Sequence, residues 1–450
     1  MTTRDPAPTR FRAIDPTDAS RVPQLAALSA ATRAAMRRVA HVLPFRVNPY
    51  VVEHLIDWSR VPDDPIFQLT FPQPDMLAPA DHARLQALEA AGPGDALVAA
   101  AREIQHRLNP HPAGQVEHNV PRLRGRPLPG IQHKYRETVL FFPSQGQTCH
   151  AYCSYCFRWP QFVGLDELKF ASREVDDLIG YLREHPEVTS VLITGGDPMI
   201  MRSALLRRYV EPLLAADLPQ LASIRIGTKS VAYWPHRFVS DDDADDVLAL
   251  FEQVAATGKS LALMAHYSHP RELATEVARR ALARIRATGA VVRCQAPLIR
   301  HVNDDAASWA ELWRTQVQLG AIPYYMFIAR DTGARQYFEV PLARAWRIYR
   351  DALAAVSGLA RTVRGPSMSA TPGKVVVDGV TTVAGKKVFA LRLLQARDPA
   401  WVGRPFFAEY DAAVSWLDGL RPAFGEPHFF FEPELAERLR QPLRVVQGAA

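Results

Sequence analysis

Thr138-Val139-Leu140-Phe141-Phe142-Pro143-Ser144-Gln145-Gly146-Gln147-Thr148-Cys149-His150-Ala151-Tyr152-Cys153-Ser154-Tyr155-Cys156-Phe157-Arg158 runs from an apolar, strand-like segment straight into three closely spaced cysteines. The spacing C-x3-C-x2-C offers three thiolates from one short loop, too few for a closed metal site. A four-iron cluster that only carries electrons takes four protein ligands. Three leave one iron with an open position, where a substrate or cofactor binds. Spacing alone leaves two other readings open: a zinc knot with a distant fourth ligand, and three unrelated core cysteines.

That first apolar run, 138–142, opens a series. Runs with the composition of buried parallel strands recur at 189–194, 222–228, 260–267, 290–296 and 322–328. Amphipathic segments of helical length separate them, at 174–183, 202–215, 244–256, 271–287, 306–318 and 342–359. Six strand-then-helix units in succession imply an α/β fold with a parallel sheet and right-handed crossovers. Six fall short of a closed eight-fold barrel, so the expectation is a partial (β/α)6 barrel over 131–364, with ligands at the carboxyl ends of its strands. The cysteine loop leaves the first strand at such an end.

Upstream, 1–130 is expected to be an N-terminal helical extension with proline-rich connectors. It comprises a loose leader over 1–20, a helix over 22–42, a second over 50–58, an extended connector over 60–80 and helices over 80–108. Downstream, 365–450 is expected to be a C-terminal α+β extension. It contains a β-hairpin turning at Asp378-Gly379, a further strand at 385–396 and a short helix near 410–420.

Bulk properties bound the function. The 450 residues are 48% hydrophobic and 22% charged, ordinary for a globular protein. A net charge of +6 is spread along the chain without a run of like charges, so nucleic acid is not an expected partner. Only Cys294 remains beyond the loop cysteines, which argues against a disulfide framework and for a reducing, cytoplasmic location. No stretch has the length and apolarity of a membrane span.

The cysteine loop, with Tyr155 before its last cysteine, resembles the signature of the radical S-adenosylmethionine (SAM) enzymes. The resemblance implies a 4Fe-4S cluster on Cys149, Cys153 and Cys156, with SAM chelating the open iron and yielding a 5′-deoxyadenosyl radical on reduction. It also implies a reducing electron donor such as flavodoxin or ferredoxin. Gly195-Gly196-Asp197, at the end of the second strand, is then expected to seat the amino end of SAM, since adjacent glycines let backbone approach a ligand. Arg225, a charge inside an apolar run, is either a structural salt-bridge residue or orients the cofactor. His266 ends the fourth strand and is either a satisfied core residue or faces the cavity. Gln295 ends the fifth and is a candidate hydrogen-bond partner of the cofactor.

In order along the chain, Asn48-Pro49-Tyr50, Asp63-Asp64-Pro65-Ile66, His133-Lys134-Tyr135, the cysteine loop, Gly195-Gly196-Asp197-Pro198, Ile224-Arg225-Ile226-Gly227-Thr228, His266-x-x-His269-Pro270, Val302-Asn303-Asp304 and Pro323-Tyr324-Tyr325 together resemble lysine 2,3-aminomutase and its relatives over roughly 45–376. The resemblance implies an isomerase that uses pyridoxal phosphate (PLP) to shift an amino group between C2 and C3 of an amino acid. Lys374, after Thr371-Pro372-Gly373, stands at the family's PLP-binding lysine. Gly373 is expected to relieve crowding beside the PLP ring. Arg158 matches the arginine that clamps the substrate carboxylate, and Asp304 one of two acids that hold the lysine side chain.

The departures from the family are specific. Its phosphate-binding pair lies in a stretch His-Arg-Tyr-Pro-Asp-Arg, where this chain has His133-Lys134-Tyr135-Arg136-Glu137-Thr138. Lys134 keeps one charge, while Thr138 replaces the second arginine, which weakens the grip on phosphate. Ser367 stands where the second side-chain acid is expected, so the substrate is expected not to be lysine itself. The competing readings are a PLP-independent radical SAM enzyme that abstracts hydrogen from an amino-acid-like substrate, and a non-catalytic metal protein. A homo-oligomer stays open.

Overall fold

The computed structural model describes residues 10–92, 94–110, 118–164 and 170–440. A short hairpin, β1 (Arg122–Leu123) and β2 (Arg126–Pro127), precedes one eleven-stranded sheet. Its strands are β3 (Ile131–Tyr135), β4 (Thr138–Phe141), β5 (Ser190–Ile193), β6 (Ser223–Thr228), β7 (Ser260–His266), β8 (Val291–Leu298), β9 (Ile322–Ile328), β10 (Arg364–Ser369), β11 (Gly373–Val383), β12 (Lys386–Ala396) and β13 (Pro405–Glu409). Their spatial order is their chain order. Strands β4 to β10 pair in parallel, and β3 and β11 to β13 add antiparallel edges.

The six expected strands are β4 to β9, with helices between them at Val175–Glu184, Ser203–Ala215, Ala244–Ala256, Glu276–Ala287 and Ala306–Gln318, and Leu342–Ala354 after β9. The ladder is not a closed barrel, because β3 and β13 are its two edges. It nevertheless curls until its ends meet. Lys134 of β3 donates to the Ala370 carbonyl, and Arg397, just past β12, donates to the His118 carbonyl at 3.1 Å and to Asn119 Oδ1 at 2.7 Å. Along β4, β5, β6 and β8 one residue in two is fully buried, and the alternate residues are half-exposed toward the inside of the curl. That half-exposed face lines a hollow.

Several expectations are corrected. The first helix starts only at Ala30, where the Ser29 side chain accepts from the Thr32 amide, and 3-10 turns occupy Pro16–Arg21 and Pro23–Ala27. The part of the expected leader within the described residues is anchored, since Ile14 bridges Val47 and Phe11 packs 4.8 Å from the His150 ring. The expected second helix is a single π-helical turn, Val51–Leu55. The proline-rich connector contains a buried helix, Pro65–Thr70, capped by the Asp64 carboxylate. Asp378-Gly379 is not a turn but an irregularity inside β11; the chain reverses at Ala384-Gly385, both at positive φ. Only a 3-10 turn, Leu417–Gly419, stands near 410–420. The boundary drawn at 364 falls on β10, which continues the same sheet. No helix among the described residues is long and apolar enough to cross a membrane.

Candidate active site

The cysteine loop leaves β4 at its carboxyl end and is held from outside by the N-terminal region. Asn48 Nδ2 donates to the carbonyls of His150 and Tyr233, both at 3.0 Å. The Tyr152 amide donates to the Arg46 carbonyl at 2.9 Å, and the Ser154 amide to Leu69 at 2.9 Å. Cys149, Cys153 and Cys156 are free and half-buried. Burial pushes all three thiols up, Cys156 to about 12, and the charges of the other thiols add to the effect on Cys149 and Cys156. Three such groups crowded together are costly as bare thiolates, and iron supplies the positive charge that makes them stable. Among the described residues no three His, Cys, Asp or Glu side chains gather as ligands of a single ion. The donor set fits the cluster.

Gly196 is a glycine because the backbone of the cysteine loop packs on it, and Gly195 because its φ is +154°. A Cβ on Gly196 falls 2.5 Å from the Thr148 carbonyl oxygen, and one on Gly195 falls 2.3 Å from Gln147 Nε2. Asp197 is buried, and its carboxylate accepts from the amides of Met199, Lys229 and Ser230 and the hydroxyls of Thr228 and Ser230, at 2.8–3.0 Å. It ties the end of β5 to the end of β6 and has little capacity left for a ligand. His266 Nε2 lies 2.7 Å from the Tyr155 hydroxyl, and burial keeps its imidazole neutral. Gln295 pairs in register with His266 on the half-exposed face, and its side chain makes no hydrogen bond among the described residues.

Lys374 opens β11, with its ammonium nitrogen 4.3 Å from the centre of the Tyr325 ring. Burial lowers its pKa to about 7, and Arg364 and Arg225 push the same way. A neutral amine near pH 7 condenses readily with a carbonyl. The turn before it is braced by Lys134, which donates to Ala370, and by Arg397, whose amide and Nε donate to Pro372 and Thr371 at 3.0 and 2.9 Å. Lys134 thus braces this turn with one of its three donors. Gly373 has a different cause from the one expected, since a Cβ there falls 2.1 Å from the Gln395 carbonyl oxygen of β12.

Arg158 stacks 4.3 Å from the Phe142 ring, and burial lowers its pKa to about 10 while nearby Cys156 raises it. Arg330, which follows β9, shares the Phe157 ring with it, at 5.4 Å against 5.0 Å for Arg158. Its Nε is buried without a hydrogen-bond partner. The sequence reading missed Arg330, because no pattern marks a residue beyond a strand end as inward-facing.

Asp304 does not point at this group. Its carboxylate pairs with Arg344 at 2.7 Å and accepts from the His301 amide at 3.2 Å. Ser367 is fully buried, 3.4 Å from the Met326 carbonyl. The amine, the aromatic flank and the nearby guanidiniums fit an aldehyde cofactor bearing an anionic group.

No protein-family profile matches the chain. Over 388 residues, 86% of its length, it is 31% identical to a protein of Aquifex aeolicus (strain VF5) named "Putative L-lysine 2,3-aminomutase", covering 90% of that protein. It is 28% identical over 251 residues to the L-lysine 2,3-aminomutase of Escherichia coli (strain K12), covering 56% of this chain and 69% of that enzyme. A radical SAM methyltransferase from Sphaerobacter thermophilus overlays 52% of this chain and 68% of its own at 18% identity, with a TM-score of 0.37, too partial an overlay to argue from.

Proposed function

Because the chain belongs to the lysine 2,3-aminomutase family of radical SAM enzymes, we propose that it shifts an amino group between C2 and C3 of an α-amino acid other than lysine. The curled sheet is taken as a partial (β/α)6 barrel, covered by the helical region before 131 and completed by the extension after 364. Cys149, Cys153 and Cys156 would hold the 4Fe-4S cluster, Gln295 and the backbone around Gly195 and Gly196 would meet SAM, and Lys374 would join PLP. When bound, these groups supply a hydrogen-abstracting radical and a carbonyl that takes up an amine.

The chain's own residues do the positioning. Arg158 offers a planar fork to the substrate carboxylate beside the cluster loop, and Arg330 stands next to it. Asn48, Arg46 and Leu69 clamp the loop from outside. Asp304 spends its carboxylate on Arg344 and His301, and Ser367 carries no charge. This supports a side chain smaller or less cationic than that of lysine. We place the enzyme in the cytoplasm, fed by flavodoxin or ferredoxin.

The observation that carries the PLP part is the aromatic-flanked amine of Lys374, whose pKa burial lowers to about 7. The test is anaerobic reconstitution with iron, sulfide, SAM and PLP, followed by a screen of common amino acids. The expected result is 5′-deoxyadenosine and a β-amino acid with one substrate, and loss of the pyridoxal absorbance in Lys374→Ala. Iron-free protein after reconstitution, or rapid turnover of L-lysine, would contradict it.

A further inference from the structure

Three arginines converge on the hollow below Lys374. Arg225 is the third residue of β6 and Arg293 the third of β8, both on the half-exposed face, and Arg364 opens β10. They share two tyrosines. Arg364 lies 4.2 Å from the ring centres of both Tyr324 and Tyr325, and Arg293 lies 5.0 Å from that of Tyr324. None of the three has a carboxylate partner among the described residues. The Nε of Arg225 is buried with no hydrogen-bond partner, and its Nη2 donates to Thr138 Oγ1 at 3.2 Å.

Arg225 is the one of the three taken out of water, and a buried guanidinium costs several kcal/mol unless an anion meets it. Here they also repel one another: burial depresses Arg225, and Arg293 and Arg364 depress it further. A dianion between them would relieve both costs. The place is specific as well. Thr138 stands where the resemblance puts the second phosphate arginine, and the guanidinium that reaches Thr138 comes from β6, two strands away. Lys134, at the first such position, spends one of its three donors on the Ala370 carbonyl, and burial with Arg397, Arg330 and Lys374 nearby holds its pKa well below the usual lysine range.

We infer that Arg225 and Arg364, backed by Arg293, hold the phosphate of the PLP carried by Lys374, replacing the cationic pair of the stretch before β4. This rests on the PLP reading above. Lys374 and Arg364 both lie against the Tyr325 ring, 4.3 and 4.2 Å from its centre, so the two cations are at most about 8.5 Å apart. The forks suit a phosphate monoester, which presents several oxygens and close to two charges.

The test compares PLP with pyridoxal, which has the aldehyde but no phosphate, by absorbance titration of the full-length chain. Arg364→Gln also alters the Lys374 amine, but that change affects both ligands and cancels in their affinity ratio. The wild-type chain is expected to prefer PLP strongly. Arg225→Gln and Arg364→Gln should each cut that preference by about ten- to a hundredfold, the value of one charge-assisted contact, with pyridoxal binding little changed. Inorganic phosphate should compete with PLP and not with pyridoxal. If either glutamine variant misfolds, Arg225→Lys and Arg364→Lys, which keep the charge and lose the fork, should give a smaller drop in the same ratio.

An unchanged ratio in both arginine variants, with Lys374-dependent binding of both ligands intact, overturns this assignment alone. So does a collapse of the ratio in Lys134→Gln while the arginine variants keep it. Absence of any Lys374-dependent binding of either ligand overturns the PLP reading and this site with it.

Discussion

Replacing Arg364 by glutamine should return the Lys374 amine toward an ordinary lysine. Both cations lie on the Tyr325 ring, 4.2 and 4.3 Å from its centre, so the two charges are at most about 8.5 Å apart. At an effective dielectric constant of about 20, two like charges at that separation repel by about 2 kcal/mol, or about 1.4 pKa units. The amine starts at about 7, held down first by burial and then by Arg364 and Arg225. Only its neutral form attacks a carbonyl. The pH profile for trapping of pyridoxal by borohydride, read by mass at Lys374, should therefore rise through about 7 in the wild type. In Arg364→Gln the midpoint should move up by about 1.4 units, while the plateau at high pH is kept. A midpoint that stays put, or moves down, would show that Arg364 is screened from the amine and would remove the electrostatic account of its reactivity.

The same amine links stability to pH. Its folded pKa lies below that of the unfolded chain, so from about pH 7 up to the ordinary lysine range the unfolded state binds more protons and stability rises with pH. Lys374→Met should unfold at a higher temperature than wild type at pH 6, with the gap closing toward pH 10; a constant gap in a calorimetric series would contradict this. Asp197→Asn should cost about 3 kcal/mol or more, because an amide cannot accept from all five donor groups around this carboxylate. It should lower both the unfolding temperature and the iron bound per chain, and unchanged values would refute the tie between β5 and β6. Asp304→Asn removes a partly exposed ion pair worth less than about 1 kcal/mol. Product formation should stay close to wild type, and a loss of more than about tenfold would bring Asp304 back as a substrate residue.

Strands β4 to β9 were legible because a parallel sheet covered by helices leaves continuous apolar runs. The helices Ala244–Ala256 and Ala306–Gln318 matched their expected bounds because their apolar faces repeat at the helical period. Strand β10 was not legible. Arg364-Gly365-Pro366-Ser367-Met368-Ser369 has the composition of a loop, and only the ladders of β9 and β11 on either side hold it extended. In β11, Asp378-Gly379 imitates a hairpin turn, while the pairing with β12 runs past it to Ala384-Gly385.

The site divides in the same way. The cysteines, Lys374 and Arg158 stood out by spacing or by position in a motif. Arg293 was visible by the rule that picked out Arg225, a charge inside an apolar run. Arg364 and Arg330 lie outside such runs, and only the curl of the sheet turns them inward. Asp197 was legible as a site residue but not as a saturated one, since four of its five donor groups come from 31–33 residues farther along the chain.

The Asn48 clamp has a consequence for how the protein matures. One side-chain amide joins a carbonyl 102 residues away to another 185 residues away. The segment that seals the sulfur ligands is thus made first, yet it finds its second anchor only after the ribosome has passed Tyr233. From the synthesis of Cys156 until that of Tyr233, iron and sulfide therefore have an open route to the nascent loop. Once the latch is set, delivery or repair must proceed by lifting it, so its strength trades protection from oxygen against ease of loading.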